Sequence, residues 1–205
     1  MRPSGFPNTN LLWLAIVLVL SPATAICQKP NDDGSAFNTV DYGAASWKEY
    51  KPGGGKYALL LPGLPREQVE MVDTALGKTE LHMSILAVTY KEDFVICAVN
   101  YSDFPVQITD PTAIRKTLDG ARAELLANKT RKLISETEIY LDAHLGREIK
   151  IEQGDLAWVS RIFLVRDRLF QVAVFASKAP KSDDVAKFQE DVRQKILSSF
   201  KVFSE

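Results

Sequence analysis

Leu156-Ala157-Trp158-Val159-Ser160-Arg161-Ile162-Phe163-Leu164-Val165, then Arg166-Asp167, then Arg168-Leu169-Phe170-Gln171-Val172-Ala173-Val174-Phe175-Ala176, is the stretch that decides the fold. Large apolar residues stand at both parities. Trp158, Ile162 and Leu164 fall on one face of a strand, and Val159, Phe163 and Val165 on the other. A strand exposed on one face alternates with polar residues, so this pattern predicts two central strands covered on both sides. Arg166-Asp167 is a tight hairpin connection between Leu156–Val165 and Leu169–Ala176.

Working outward, the flanking strands alternate. In Lys132–Leu141, Leu133, Ile139 and Leu141 share a parity, and Glu136 and Glu138 take the other. In His144–Glu152, Leu145, Ile149 and Ile151 oppose His144, Glu148, Lys150 and Glu152. Both read as half-buried strands. Further upstream, Trp47–Tyr50, Lys56–Leu61, Glu67–Val72, Thr79–Tyr90 and Phe94–Tyr101 read as strands of an antiparallel meander. Their separators are Pro52-Gly53-Gly54-Gly55, Pro62-Gly63-Leu64-Pro65, Gly77-Lys78 and Lys91-Glu92-Asp93.

Two helices interrupt the strands. Asp110 caps the first, with Pro111 where a missing N–H costs nothing. Ile114, Leu118, Ala121 and Leu125 form its apolar stripe. The second starts at Ser182, with Asp183 and Asp184 at the positive end of its dipole. Its stripe is Val185, Phe188, Val192 and Ile196, leaving Lys187, Glu190, Arg193 and Gln194 for solvent. Ser199–Phe203 closes the chain on the sheet. The expected fold class is α+β: a mainly antiparallel sheet with two helices packed around it, an α/β/α sandwich over residues 46–205.

The N-terminus carries a targeting pattern. Arg2 is a sparse n-region, Leu11 through Leu20 are apolar, and Ala23-Thr24-Ala25 is a small-x-small cleavage site. The apolar run makes about 15 Å of helix, short for a membrane span. A retained anchor is the alternative. Cys27 is a candidate lipidation site, but Ile26 before it is bulky where that processing wants a small residue, which favours cleavage after Ala25. Residues 26–45 have no period and read as a flexible tether. The expected location is extracytoplasmic, periplasmic or secreted, with no transmembrane span after signal removal. Residues 1–30 fused to a reporter should export it, and N-terminal sequencing should find Ile26 first; finding Met1 or a lipidated Cys27 would contradict cleavage after Ala25.

Composition narrows the function classes. The chain has 205 residues, with 25 Lys+Arg against 26 Asp+Glu and a net charge of −1. That balance argues against nucleic acid as a partner. No metal site is expected, since His82 and His144 lie far apart without companions at ligand spacing. Cys97, inside an apolar strand, reads as a small buried hydrophobe; a bridge to Cys27 is conceivable in an oxidising compartment. Gly53-Gly54-Gly55-Lys56 lacks the Ser or Thr and the following helix of a phosphate loop, and reads as a hairpin turn. Glu136, Glu138, Glu148 and Glu152, near Arg147, Lys150 and Arg161, read as solvated rather than as an acid–base pair. The sequons at Asn100 and Asn128 matter only in a host that glycosylates secreted proteins. No catalytic or cofactor-binding residue is expected, and no cofactor.

Taken together, Pro62-Gly63-Leu64-Pro65, the Asp110-Pro111 helix start, Gly146-Arg147-Glu148, Val165-Arg166-Asp167-Arg168-Leu169-Phe170 and Ser199-Phe200 make a pattern that resembles small exported bacterial proteins of PsbP-like fold. That superfamily includes the extrinsic subunits of photosystem II. The resemblance spans about residues 45–205, implies the α/β/α sandwich and a non-enzymatic leaning, and carries over no ligand residue. The expected function is an exported, non-catalytic binding or assembly module that meets a protein or envelope component. The alternative is a small-ligand carrier or enzyme with a pocket between sheet and helices near Arg147, Arg161 or Tyr140.

Overall fold

The structure, a computed structural model, describes residues 37–74 and 77–203. The targeting segment, Ala25 and Cys27 lie outside the described residues.

The central strands are where their composition places them. β9 (Leu156–Val165) and β10 (Arg168–Ser177) pair antiparallel through the turn at Arg166, which has a φ of 58°. β10 also pairs antiparallel with β6 (Asp93–Asp103), setting Phe170 opposite Tyr101. Outward from β6 run β5 (Gly77–Tyr90) and β4 (Arg66–Thr74). Outward from β9 run β8 (His144–Gln153) and β7 (Lys132–Leu141). The sheet is thus two meanders joined along β6 and β10, with α1 (Pro111–Leu125) as the connection.

Two apolar clusters lie on opposite faces of this sheet. Trp158, Ile162, Leu164, Ala173 and Phe175 pack with Leu118, Ala121 and Leu125 of α1. Val159, Phe163, Phe170, Val172 and Val174 pack with Phe188, Val192 and Ile196 of α2 (Asp183–Ser199). The helix starts are capped as expected: Asp110 accepts from the Ala113 N–H at 2.8 Å, and Ser182 from the Val185 N–H. On α2, Lys187, Glu190 and Gln194 are exposed, but Arg193 is drawn in toward the sheet. The fold is α+β, with a mostly antiparallel sheet and two helices. A side chain at Gly146 would run into the Phe163 ring and the Ile162 carbonyl, so β8 can lie on β9 only with glycine there.

Three features differ from the sequence reading. First, β2 (Lys48–Tyr50) and β3 (Tyr57–Leu61) leave the meander and form a separate three-stranded sheet with β11 (Lys201–Val202). Pro62 and Pro65 remove ladder donors just after β3, so the chain must change course before β4. β3 buries Tyr57, Leu59 and Leu61 in the cluster that α2 covers. Second, the stretch read as tether contains β1 (Asn38–Asp41), which pairs parallel with Leu86–Thr89. β5 is 14 residues long and β4 only 9, so β4 leaves part of the β5 edge open and β1 occupies it. Asp41 then caps a turn of 3-10 helix by accepting from Gly43 and Ala44. Third, a bulge between Leu133 and Ser135 shifts the register of β7. Leu133 therefore packs on the α1 side, and Ile139 and Leu141 on the α2 side, although all three share a parity.

Candidate functional site

α2 packs over β3, β6 and β10, and leaves part of β8 and β9 open beside it. The result is a groove of about 310 Å³ walled by Glu148, Lys150, Arg161, Glu190, Arg193 and Gln194. Alternation places Glu148 and Lys150 on this face of β8, and the charged face of α2 supplies the opposite wall. Arg161 donates to Glu148 at 2.8 Å and to the Leu197 carbonyl at 2.7 Å, tying the last turn of α2 to the floor. Arg193 donates to Glu190 at 2.5 Å. Arg161 is one of the three residues at which a pocket was expected; Arg147 and Tyr140 do not line this groove.

Glu138 is exposed as its alternation implies, but Glu136, Glu148 and Glu152 are only partly so. Glu136 and Glu148 keep only 20% of their side-chain surface exposed. Glu136 accepts from Arg122 at 2.5 Å and from Arg147, which also reaches Asp119; Arg115 meets Glu138. This network fastens α1 to β7 and β8. Burial alone would raise the Glu136 carboxyl, but hydrogen bonds from Arg122 and Arg147, with their charges, outweigh it and hold it below its ordinary range. A lowered folded-state value means stability that is full above the unfolded value and lost as pH falls through the folded one. Urea unfolding should therefore show stability declining as pH drops below 4.5, the ordinary glutamate value. Glu136→Gln should be less stable than wild type at neutral pH and show a shallower decline; an unchanged pH profile would contradict the role of Glu136.

The glycine turn is held from outside. Arg168 donates to the carbonyls of Gly54 and Gly55 at 2.7 Å each, so the turn presents acceptors to a cation, the reverse of a phosphate cradle. The same guanidinium grips both oxygens of Asp103, at 2.5 and 2.7 Å, and stands 4.2 Å from the centre of the Tyr101 ring. One side chain thus links the start of β10, the end of β6 and the β2–β3 turn. Arg168→Ala should cost about 2–3 kcal/mol, because it leaves acceptors without a donor. Urea midpoints of wild type and variant would measure this, and a difference within about 0.5 kcal/mol would contradict the clasp.

The other flagged residues fall apart in space or into the core. Cys97 is 1% exposed, and burial pushes its thiol up to about 12, the reverse of an activated nucleophile. His82 stacks on Tyr101 at 4.5 Å, and its imidazole is 3.2 Å from Glu80. His144 opens β8 opposite Leu141, on the far flank of the sheet. Asn100 is fully buried and donates to Gln171, which donates to Ser160, a polar row across three central strands. Its sequon is closed to modification in the folded chain. The exposed Asn128 accepts from the Thr130 N–H and hydroxyl. Among the described residues, no three His, Cys, Asp or Glu side chains are grouped to hold a metal ion. No described helix is long and apolar enough to cross a membrane.

Sequence reasoning missed the Arg168 clasp and a hydroxyl cluster in which Tyr50 donates to Glu67 at 2.5 Å and Tyr57 to Ser84 at 3.0 Å. Both depend on contacts between residues far apart in the chain, which no local spacing signals. No family model matches the chain, and no curated protein matches it.

Proposed function

We propose that this protein is an exported, non-catalytic binding or assembly module of the periplasm or cell envelope, built on a PsbP-like sandwich. The observation that carries the reading is the groove beside α2. Its walls are charged side chains already held in position by ion pairs, which suits a polar partner surface. Small-molecule pockets are mostly apolar with a few polar groups, whereas charged and polar side chains make up about half of this lining, beside Ile134, Val159 and Leu197. Contact made by pre-positioned charges favours specificity of encounter over strength. The apolar run and Ala23-Thr24-Ala25 support export, and the turn and cap residues from Pro62 to Phe200 support the family resemblance.

The test is capture from the native envelope under mild cross-linking, comparing wild type with Lys150→Glu and Gln194→Glu. Both side chains are exposed, so neither change burdens the core. A partner recovered reproducibly with wild type and lost with the variants is expected; recovery of the protein alone, or equal capture by the variants, would count against the reading. A small-ligand carrier is the second reading, favoured by the groove's volume, which reaches the lower end of about 300–1,000 Å³ for ligand sites. A thermal-shift screen with metals and metabolites discriminates the two, because a ligand of the folded state raises the melting temperature.

A further inference from the structure

Arg115, Arg122, Arg147, Arg161, Arg168 and Arg193 each meet a carboxylate. Arg131 meets none among the described residues, although it is only partly exposed. Its Nη1 donates to the Leu125 carbonyl at 2.8 Å, and its Nε approaches the Gln153 side-chain oxygen at 3.4 Å. Its Nη2 has no acceptor among the described residues. Burial lowers its hold on a proton, with no neighbouring anion to offset that. Cations withdrawn from water are normally paired. The Leu125 carbonyl closes α1 and supplies only a partial negative charge.

The guanidinium stands over the indole of Trp158, 5.6 Å from the ring centre. Trp158 is 95% buried, and its Nε1–H is a buried donor with no acceptor. A lost partner for a buried donor costs about 1–3 kcal/mol. Two donors of unmet capacity, one charged and one neutral, therefore lie together at the end of α1. The nearest acid in register, Glu152, is on the opposite face of β8 and is taken by Lys178 at 2.5 Å. Gln153 is itself held by donating to Thr130 at 2.7 Å, so the surroundings of Arg131 are fixed in place.

We propose that Arg131 and Trp158 form a binding site for an oxyanion, a carboxylate or phosphate group, on the face of the sheet opposite the groove. One oxygen takes the free guanidinium N–H groups and a second takes the indole N–H. An oxyanion offers both acceptors from one centre, as guanidinium recognition of carboxylate and phosphate requires.

The test is a titration of the full chain with inorganic phosphate and, separately, with acetate, each against chloride at matched ionic strength. The Trp158 indole N–H resonance, assigned through Trp158→Phe, is followed by NMR, and the melting temperature alongside it. A saturable shift of that resonance with a rise in melting temperature is expected. Phosphate alone producing it assigns a phosphoryl ligand, and acetate alone a carboxylate. Arg131→Gln should abolish the shift, and Arg131→Lys should weaken it several-fold by keeping the charge but losing the planar fork. If neither anion moves the resonance beyond the chloride control, or the shift survives in a folded Arg131→Gln, the site does not exist. Should the variants fail to fold, the wild-type titration decides alone.

Discussion

A chain ending at Ser182 should aggregate instead of staying soluble. Val185, Phe188, Val192 and Ile196 are at most 4% exposed, and the last three pack in the cluster they share with β3. Burying four such side chains contributes roughly 6–12 kcal/mol at about 1.5–3 kcal/mol each, as large as the whole stability of an ordinary domain. The same deletion removes Phe200, packed among Tyr57, Phe163 and Phe170, and β11, which pairs with β3. A continuous apolar face would be left in water, the condition for association between copies. A helix that served only to dock a partner would behave otherwise, since its loss would leave a folded domain without its ligand. Solubility and far-UV circular dichroism of the truncate separate the two, and a soluble, cooperatively folding truncate would contradict the core assignment of α2.

Trp158→Ala and Phe175→Ala should each destabilise the fold by about 3–5 kcal/mol, the usual result of truncating an aromatic in a packed core. The two residues are cross-strand partners on β9 and β10, each 5% exposed, with ring centres 5.3 Å apart. The double variant should cost less than the sum of the singles by about 0.5–1.5 kcal/mol, the aromatic pair term. Tyr140→Ala is the control, because Tyr140 is 65% exposed on β7 and its loss should fall within about 0.5 kcal/mol. Urea unfolding measures all four, and core variants as mild as the control would mean that β9 and β10 are not covered on both faces.

Much of this fold is legible because its signals are local. Apolar residues at both parities identify β9 and β10 as central, and the caps at Asp110 and Ser182 mark both helices within a residue of where they start. What escaped the reading depends on distant parts of the chain. β1 carries one apolar residue, Val40, and is a strand only because β4 leaves the end of β5 unpaired. The β7 bulge inverts a parity rule that holds strictly only for an unbroken ladder. The site is less legible still. Glu148 and Arg161 are visible as charges in the sequence, but their pairing and the groove they floor exist only once α2 lies over β10 and leaves β8 open. Arg131 looks like any surface arginine until its lack of a carboxylate among the described residues is seen beside six that have one.

In the proposed function, the groove beside α2 meets a partner in the envelope. Site-specific photo-cross-linking in the living cell tests it most directly, with the reactive residue placed at Gln194 in the groove or at Lys116 on the outer side of α1. Gln194 should give one discrete adduct that Lys150→Glu abolishes, and Lys116 should give none. No adduct from Gln194, or equal adducts from both positions, would contradict the claim.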